Sequence, residues 1–405
     1  MPKADDRQTL QHAVFLHQAG QLEKAAAIYR RILQGDPDNI TALHYLGIVE
    51  AAVGNFAQAK SLMARSLRTQ PVNIQFVENF ATVLAQSGDY GAALEFSQRS
   101  LQSNPTNASL LYVSATALLK LKRLEDALAQ FDKLVAVQPN HLAGINERGS
   151  VLAEMKRYDA ALASFQRALS LQPQYAEAHL NVGNLYGTLK RYDDAVAAFD
   201  KALTLKPDSA DARFGRASAL TELDRKDEAV TEFEKALAIR PDHAEARVGA
   251  CVGELHILYS SEAEVVSCRE AYQRKLRALY DDVEAGRVPG NLAKAIEFKQ
   301  PFFLAYQGRN DRDLQRLYGT VVCGTMQREY PDAPLTAPAL PGEPVRVGIV
   351  SSFFAITRTG KFPSRAGSAN WTAAGSRSLA TTSETSATAK RRRPPACAIA
   401  FATTN

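Results

Sequence analysis

Cysteine is scarce in this chain, and so are long apolar runs. The 405 residues include four cysteines, Cys251, Cys268, Cys323 and Cys397, whose spacing provides neither a CxxC metal pair nor a dense disulfide framework. No stretch approaches 18 uninterrupted apolar residues, and the polar start of the chain lacks the apolar core of a secretory signal. The sequence therefore predicts a cytoplasmic protein that does not span a membrane.

The histidines lack the paired spacing of a metal site. All seven lie in residues 12–256, and none belongs to an HxxxH or HExxH pattern. His179 and His243 are interpreted as packing or turn residues, and no nucleophile lies in a pattern with a base. We therefore expect no metal, no cofactor and no catalytic residue in this part of the chain.

The net charge of +5 is concentrated at one end of the chain. Residues 355–405 contain eight basic residues and one acidic residue, so residues 1–354 carry a net charge of −2. The basic run Lys390–Arg393 has no interleaved aromatic residues that would stack on bases. The charge distribution predicts no nucleic-acid partner.

A period of 34 residues organises the first 240 positions. Seven prolines follow this spacing: Pro37, Pro71, Pro105, Pro139, Pro173, Pro207 and Pro241. Twelve residues before each proline stands an alanine: Ala25, Ala59, Ala93, Ala127, Ala161, Ala195 and Ala229. Within one copy, residues 175–209, apolar and small residues recur at helical spacing in two segments joined by a short turn. Each copy is therefore predicted to be a helical hairpin.

The period and its Gly, Tyr, Ala, Phe and Pro positions resemble the tetratricopeptide repeat. Seven copies span residues 6–243. The resemblance implies an all-α fold, a right-handed superhelix (alpha solenoid) of about seven helical hairpins, with the first helix of each pair lining a concave groove that binds protein or peptide segments. Copy three has Ser97 where later copies have a phenylalanine wedge, so the N-terminal copies are expected to be looser.

The repeats are expected to open at Asp6, Ile40, Ile74, Ala108, Leu142, Ala176 and Ala210, and the sixth and ninth positions of their first helices are expected to face this groove. They include a run of small polar residues, which are the candidate peptide-binding residues: Asn79, Thr82, Thr116, Ser150, Asn181, Asn184 and Ser218. Amides and hydroxyls offer donors and acceptors that bind an extended peptide backbone without reading its sequence. The alternative is that short polar residues simply fit a crowded concave surface.

The remainder divides into four predicted segments. Residues 244–330 read as a capping helix over 244–258 and a helical connector with helices over 262–285 and 311–328. Residues 331–344 are a proline-rich linker, and 345–354 alternate or run apolar as a strand does. Residues 355–405 are rich in Ala, Ser and Thr and are expected to be a disordered basic tail.

A second resemblance appears in this region. Residues 300–308 (QPFFLAYQG), 314–319 (LQRLYG) and 346–354 (RVGIVSSFF), in this order after the repeats, resemble the front half of the O-linked N-acetylglucosamine transferase and SPINDLY-like family. The resemblance implies that 345–354 is the first strand of a two-lobed, Rossmann-like sugar-nucleotide transferase domain. It also implies that the repeats present protein substrates and that a histidine-containing loop follows the strand.

The transferase chemistry is expected to be incomplete in this chain. Only 51 residues follow Phe354, whereas a pair of nucleotide-binding lobes needs about 200 or more. No histidine follows His256, so no catalytic residue is carried over, and a UDP-sugar is expected only where the catalytic domain is present. Because another reading frame at residues 355–363 can encode a histidine-bearing continuation, we hypothesise a frameshift near codon 355.

The sequence thus favours a protein-interaction scaffold derived from the substrate-recruiting part of a protein O-glycosyltransferase. The alternative function is an O-linked N-acetylglucosamine transferase, so whether the chain belongs to an enzyme stays open. Self-association through the repeat ends or the groove is a third possibility.

Overall fold

The computed structural model describes residues 4–68, 73–256, 258–287, 292–298, 301, 304 and 307–329. Within these residues the secondary structure is helical and contains no strand. The predicted linker at 331–344, the predicted strand at 345–354 and the predicted tail at 355–405 lie outside the described residues.

Fourteen helices form seven consecutive hairpins. The first helices of the hairpins are α1 (Ala4–Gln18), α3 (Ile40–Ala52), α5 (Ile74–Gln86), α7 (Ala108–Lys120), α9 (Leu142–Glu154), α11 (Ala176–Thr188) and α13 (Ala210–Glu222). The second helices are α2 (Leu22–Gly35), α4 (Phe56–Ser66), α6 (Tyr90–Ser103), α8 (Leu124–Val137), α10 (Tyr158–Leu171), α12 (Tyr192–Leu205) and α14 (Lys226–Ile239). The predicted all-α array of seven hairpins is confirmed.

An aromatic side chain on the second helix packs the hairpins together. Phe165 and Phe199 are 1% and 2% exposed, and the Ala161 and Ala195 positions before them are fully buried. A Cβ atom added at Gly183 would lie 2.6 Å from the Phe199 ring, so the two helices approach closely where the first helix has no side chain. Small residues and an aromatic wedge thus make the cores of five hairpins, whereas Met63 and Ser97 occupy the wedge position in the second and third.

Both ends of the first helices have recurring local chemistry. Five N-cap side chains of first helices accept a backbone N–H of the first turn, at Asn39, Asn73, Asn107, His141 and Ser209, whereas Tyr175 at the start of α11 makes no such bond. His243 caps the following helix, which begins at Ala244, in the same way. The residue that follows each first helix by two positions has positive φ: Gly20, Gly54, Gly88, Lys122, Lys156, Lys190 and Asp224. The helix boundaries therefore repeat with the same period as the core.

Four further helices cover the last repeat. They are α15 (Ala244–Val252), α16 (Glu262–Glu284), α17 (Leu292–Phe298) and α18 (Arg312–Glu329). The prediction of a helix over 244–258 is wrong at its end: α15 ends at Val252, and Leu255, 1% exposed, turns into the core shared with α16. The sequence pattern does not predict the short α17.

The first helices lie on the inside of the array. Neighbouring first helices contact one another from α1 to α13, whereas no pair of neighbouring second helices in the described part of the chain approaches to the same extent. Because elements on the inner side of a curved array are closer together, the first helices form its concave wall.

Candidate functional site

One stripe of each first helix stays accessible on the concave wall. It consists of the second, sixth, ninth and thirteenth helix positions, which are exposed or half-buried in α3 to α13 except for buried Val113. We call these positions the inner stripe. All seven candidate residues of the sequence analysis lie on it: Asn79, Thr82, Thr116, Ser150, Asn181, Asn184 and Ser218.

The amide of Asn79 is already used within the protein. Its Nδ2 donates to His44 Nε2 at 2.9 Å, and its Oδ1 accepts from Gln75 Nε2 at 3.2 Å. His44 is fully buried and its ring stacks on Phe76 with centroids 3.7 Å apart. Asn79 therefore ties one first helix to the preceding one.

The amides of α11 retain free hydrogen-bonding capacity. Asn181 Nδ2 donates to Asn146 Oδ1 at 3.1 Å and lies 3.4 Å from Ser150 Oγ, which orients the amide and leaves its Oδ1 unused. Asn184, one turn further on, is exposed, and its side chain has no hydrogen bond with the described residues. These two amides present donors and acceptors to a molecule in the groove.

The hydroxyl candidates are less available than their positions suggest. Thr82 Oγ1 donates to the Glu78 carbonyl at 2.9 Å, and Ser150 Oγ donates to the Asn146 carbonyl at 3.4 Å. Thr116 is half-buried, and Ser218, also half-buried, has no hydrogen bond of its own among the described residues. The alternative reading, that small polar side chains fit a crowded wall, therefore suits Thr82 and Ser150 best.

Three ionisable residues that were not among the candidates have shifted pKa values: Tyr112 on α7, Glu147 on α9 and Tyr175 at the start of α11. Burial raises the pKa of the Glu147 carboxyl, and the negative charge of Glu154 adds to this effect while Lys120 opposes it. Burial, with a smaller contribution from Glu147, also raises the pKa of Tyr112. Burial and the neighbouring Glu177, Tyr112 and Glu147 raise the pKa of Tyr175 to about 12.

The inner stripe changes character along the array. In α3 and α5 it has no charged residue. From α9 to α13 it carries five carboxylates and no cation: Glu147, Glu154, Glu177, Asp211 and Glu222. Lys120 on α7 is the nearest basic residue of the stripe. The stripe is therefore uncharged and amide-rich in α3 and α5 and acidic from α9 to α13.

The histidines near the groove are structural. His141 Nδ1 accepts from the Gly144 backbone at 2.9 Å and His243 caps α15, while the His179 ring lies 3.0 Å from the Pro173 carbonyl. The described residues contain no group of three or more His, Cys, Asp or Glu that suits a metal ion. Across the same residues, no helix combines the length and apolar character needed to cross a bilayer.

Solved structures share this architecture. A tetratricopeptide repeat protein from Parabacteroides merdae is 19% identical and matches with a TM-score of 0.52 over 67% of this chain and 98% of its own. The APC/C hetero-tetramer Cut9-Hcn1 matches at 21% identity and a TM-score of 0.51 over 60% of this chain, which spans about half (48%) of that one. TTC0263, a thermophilic protein of the same repeat class from Thermus thermophilus, is 29% identical over 45% of this chain and 98% of its own, with a TM-score of 0.40.

Family comparison matches the repeats directly. One model described as tetratricopeptide repeat matches residues 16–76 and 84–144, and a second with the same description matches 146–210 and 180–244. Curated proteins gave no match. The family matches cover more than half of the chain and coincide with the helical hairpins, so the chain belongs to the tetratricopeptide repeat proteins.

Proposed function

We propose that this protein is an interaction scaffold that holds an extended segment of a partner protein in its concave groove. The observation that carries the proposal is the pair of amides on α11: Asn181 is held in place by Asn146 yet keeps its Oδ1 free, and Asn184 is exposed and unbonded. Two amides one helical turn apart can bind consecutive backbone groups of a peptide, because an amide donates and accepts at once.

The experiment is a pull-down from cell extract with the full chain and with Asn181→Ala/Asn184→Ala. Gln166→Ala is the matched control, because it removes an exposed amide from the second helix α10. We expect a partner that wild type and Gln166→Ala retain and that the double variant loses. Equal retention by all three proteins would contradict the role of the α11 amides.

Descent from the substrate-recruiting part of a protein O-glycosyltransferase is a further part of the proposal. It is supported by the sequence of residues 300–308, 314–319 and 346–354, of which 314–319 lies in α18 and 346–354 lies outside the described residues. Calorimetry with a UDP-sugar tests whether this chain retains the transferase activity of the alternative function. We expect no binding, and stoichiometric binding would overturn the scaffold proposal.

Self-association and a cytoplasmic location also remain proposals. Phe15 on α1 is 64% exposed, whereas the equivalent Val49 and Val83 are buried by a preceding repeat. A molecular mass that rises with protein concentration in light scattering would support self-association through α1. Cys251, Cys268 and Cys323 are free thiols, which suits a reducing compartment and is testable by fractionation.

A further inference from the structure

The carboxylate of Glu147 lies half-buried in the groove without a bonded partner. It makes no hydrogen bond or ion pair with the described residues, although its position on α9 takes it partly out of water. A carboxylate that loses hydration without gaining a donor is destabilised, which agrees with the raised pKa of this group. A cationic side chain arriving from outside would supply the missing partner.

Charge complementarity extends over the rest of the wall. The inner stripe from α9 to α13 carries five carboxylates. Some are already paired, as Glu154 is with Lys122 at 2.9 Å and Asp211 with Arg240 at 2.5 Å, whereas Glu147 and Glu177 have no such partner among the described residues. Such a wall repels an acidic segment and attracts a basic one.

We propose that the half of the groove from α9 to α13 binds a basic, extended segment of a separate partner protein, with a Lys or Arg side chain of that segment next to Glu147. The proposal rests on the proposed function, because it names the chemistry of the segment that the groove holds. The amides of Asn181 and Asn184 bind the backbone of the segment, and Glu147 selects its charge.

The test uses the full chain and three labelled peptides of one sequence of small residues, in which three positions are all Lys, all Gln or all Glu. Fluorescence anisotropy at low salt is expected to show about tenfold tighter binding of the Lys peptide than of the Gln peptide, and no binding of the Glu peptide. The preference is expected to shrink at high salt. Glu147→Gln is expected to remove most of the tenfold preference and to leave the Gln peptide unchanged.

The control is Glu125→Gln, which removes the same charge from an exposed position on the second helix α8. Any of three results overturns the proposal. The three peptides bind with equal affinity, the preference falls equally in Glu125→Gln and Glu147→Gln, or no peptide binds. The variant Arg391→Ala/Arg392→Ala/Arg393→Ala tests whether the chain's own basic segment occupies the groove. If this variant binds the Lys peptide more tightly than wild type does, the segment competes with the peptide, and the proposal is overturned.

The two proposals fail in different ways. If the Gln peptide binds and Asn181→Ala/Asn184→Ala abolishes its binding, the scaffold function stands even where the Lys peptide has no advantage. A Lys advantage that persists in Asn181→Ala/Asn184→Ala, with unchanged affinity for all peptides, would instead contradict the amide role.

Discussion

At the scale of single residues, the turn after each first helix contains strain that the first three repeats avoid. Gly20, Gly54 and Gly88 adopt positive φ at low cost, whereas Lys122, Lys156, Lys190 and Asp224 adopt φ of 58–61° at the equivalent positions. A side chain in the left-handed region is disfavoured relative to glycine.

Lys190→Gly is therefore expected to stabilise the protein by about 0.5–1 kcal/mol. Lys190 is exposed and makes no ion pair among the described residues, so little is lost with its side chain. Urea unfolding followed by circular dichroism measures the change. Lys201→Gly in the interior of α12 is the control and should destabilise by about 1 kcal/mol, and a shift of the same sign in both variants would refute the explanation.

A second residue-scale feature is the buried imidazole of His44. Burial lowers the pKa of His44 to about 4, its Nε2 accepts from Asn79, and its Nδ1 has no hydrogen-bond partner among the described residues. Because the pKa is lower in the folded state than in the unfolded chain, the unfolded chain binds more protons below about pH 6.5. The stability is then fully present above about pH 6.5 and is lost as the pH falls.

We expect the repeats around α3 to lose about 2 kcal/mol of stability between about pH 7.5 and pH 5. Hydrogen exchange at the amides of α3 measures this loss locally. His44→Phe keeps a stacking ring beside Phe76 and should flatten the pH dependence. An unchanged pH dependence in this variant would show that other groups control it.

At the scale of helices, the wedge position on the second helix sets how strongly a hairpin packs. Phe165 on α10 is 1% exposed and contacts α9 where Gly149 has no side chain. In copy three the same position is Ser97, buried with its hydroxyl bonded to the Ala93 carbonyl of its own helix at 2.7 Å. A small separate core lies between the second and third hairpins, and its buried side chains are Ala51, Ala59, Met63 and Val83.

Phe165→Ala is expected to cost about 3–5 kcal/mol, because it removes a large buried ring and leaves a cavity. Ser97→Ala removes only a hydroxyl whose carbonyl partner keeps its helical bond, so its cost should stay below about 1 kcal/mol. Thermal unfolding of both variants makes the comparison. A similar loss of stability in Phe165→Ala and Ser97→Ala would mean that the wedge position does not determine how strongly a hairpin packs.

The helix positions were largely predictable from the sequence, because the 34-residue period aligns every copy of the repeat with the others. The predicted openings at Ile40, Ile74, Ala108, Leu142 and Ala176 coincide with the starts of α3, α5, α7, α9 and α11. The end of α15 was not predictable, since Leu255 turns away to pack against α16, a contact that no periodic pattern contains.

The state of the groove was predictable only in part. Helix position alone selects Asn79 and Asn181 as candidates, but it does not show that Asn79 is bonded to His44 while Asn181 keeps a free oxygen. These contacts join residues 35 apart on neighbouring first helices, so they depend on how the repeats stack. The N-cap pattern broken at Tyr175 is the sequence signal that would have drawn attention to this region.

At the scale of the whole molecule, seven hairpins place their first helices on one curved wall, and α15 to α18 cover its last repeat. The inner stripe of this wall is charge-free in α3 and α5 and acidic from α9 to α13. Under the proposed function, an extended segment lying along it would meet amides first and carboxylates afterwards. We therefore expect a bound segment to have a preferred direction.

The central claim is that the α11 amides hold a partner's backbone in the groove. The most direct measurement is the affinity of the full chain for the Gln peptide and for the same peptide with N-methylated backbone amides, compared with Asn181→Ala/Asn184→Ala. We predict that N-methylation of the peptide and the double substitution in the protein each weaken binding at least about tenfold. Each change removes hydrogen bonds to the peptide backbone. Equal affinity for the methylated and unmodified peptides, unaffected by the double substitution, would contradict the account.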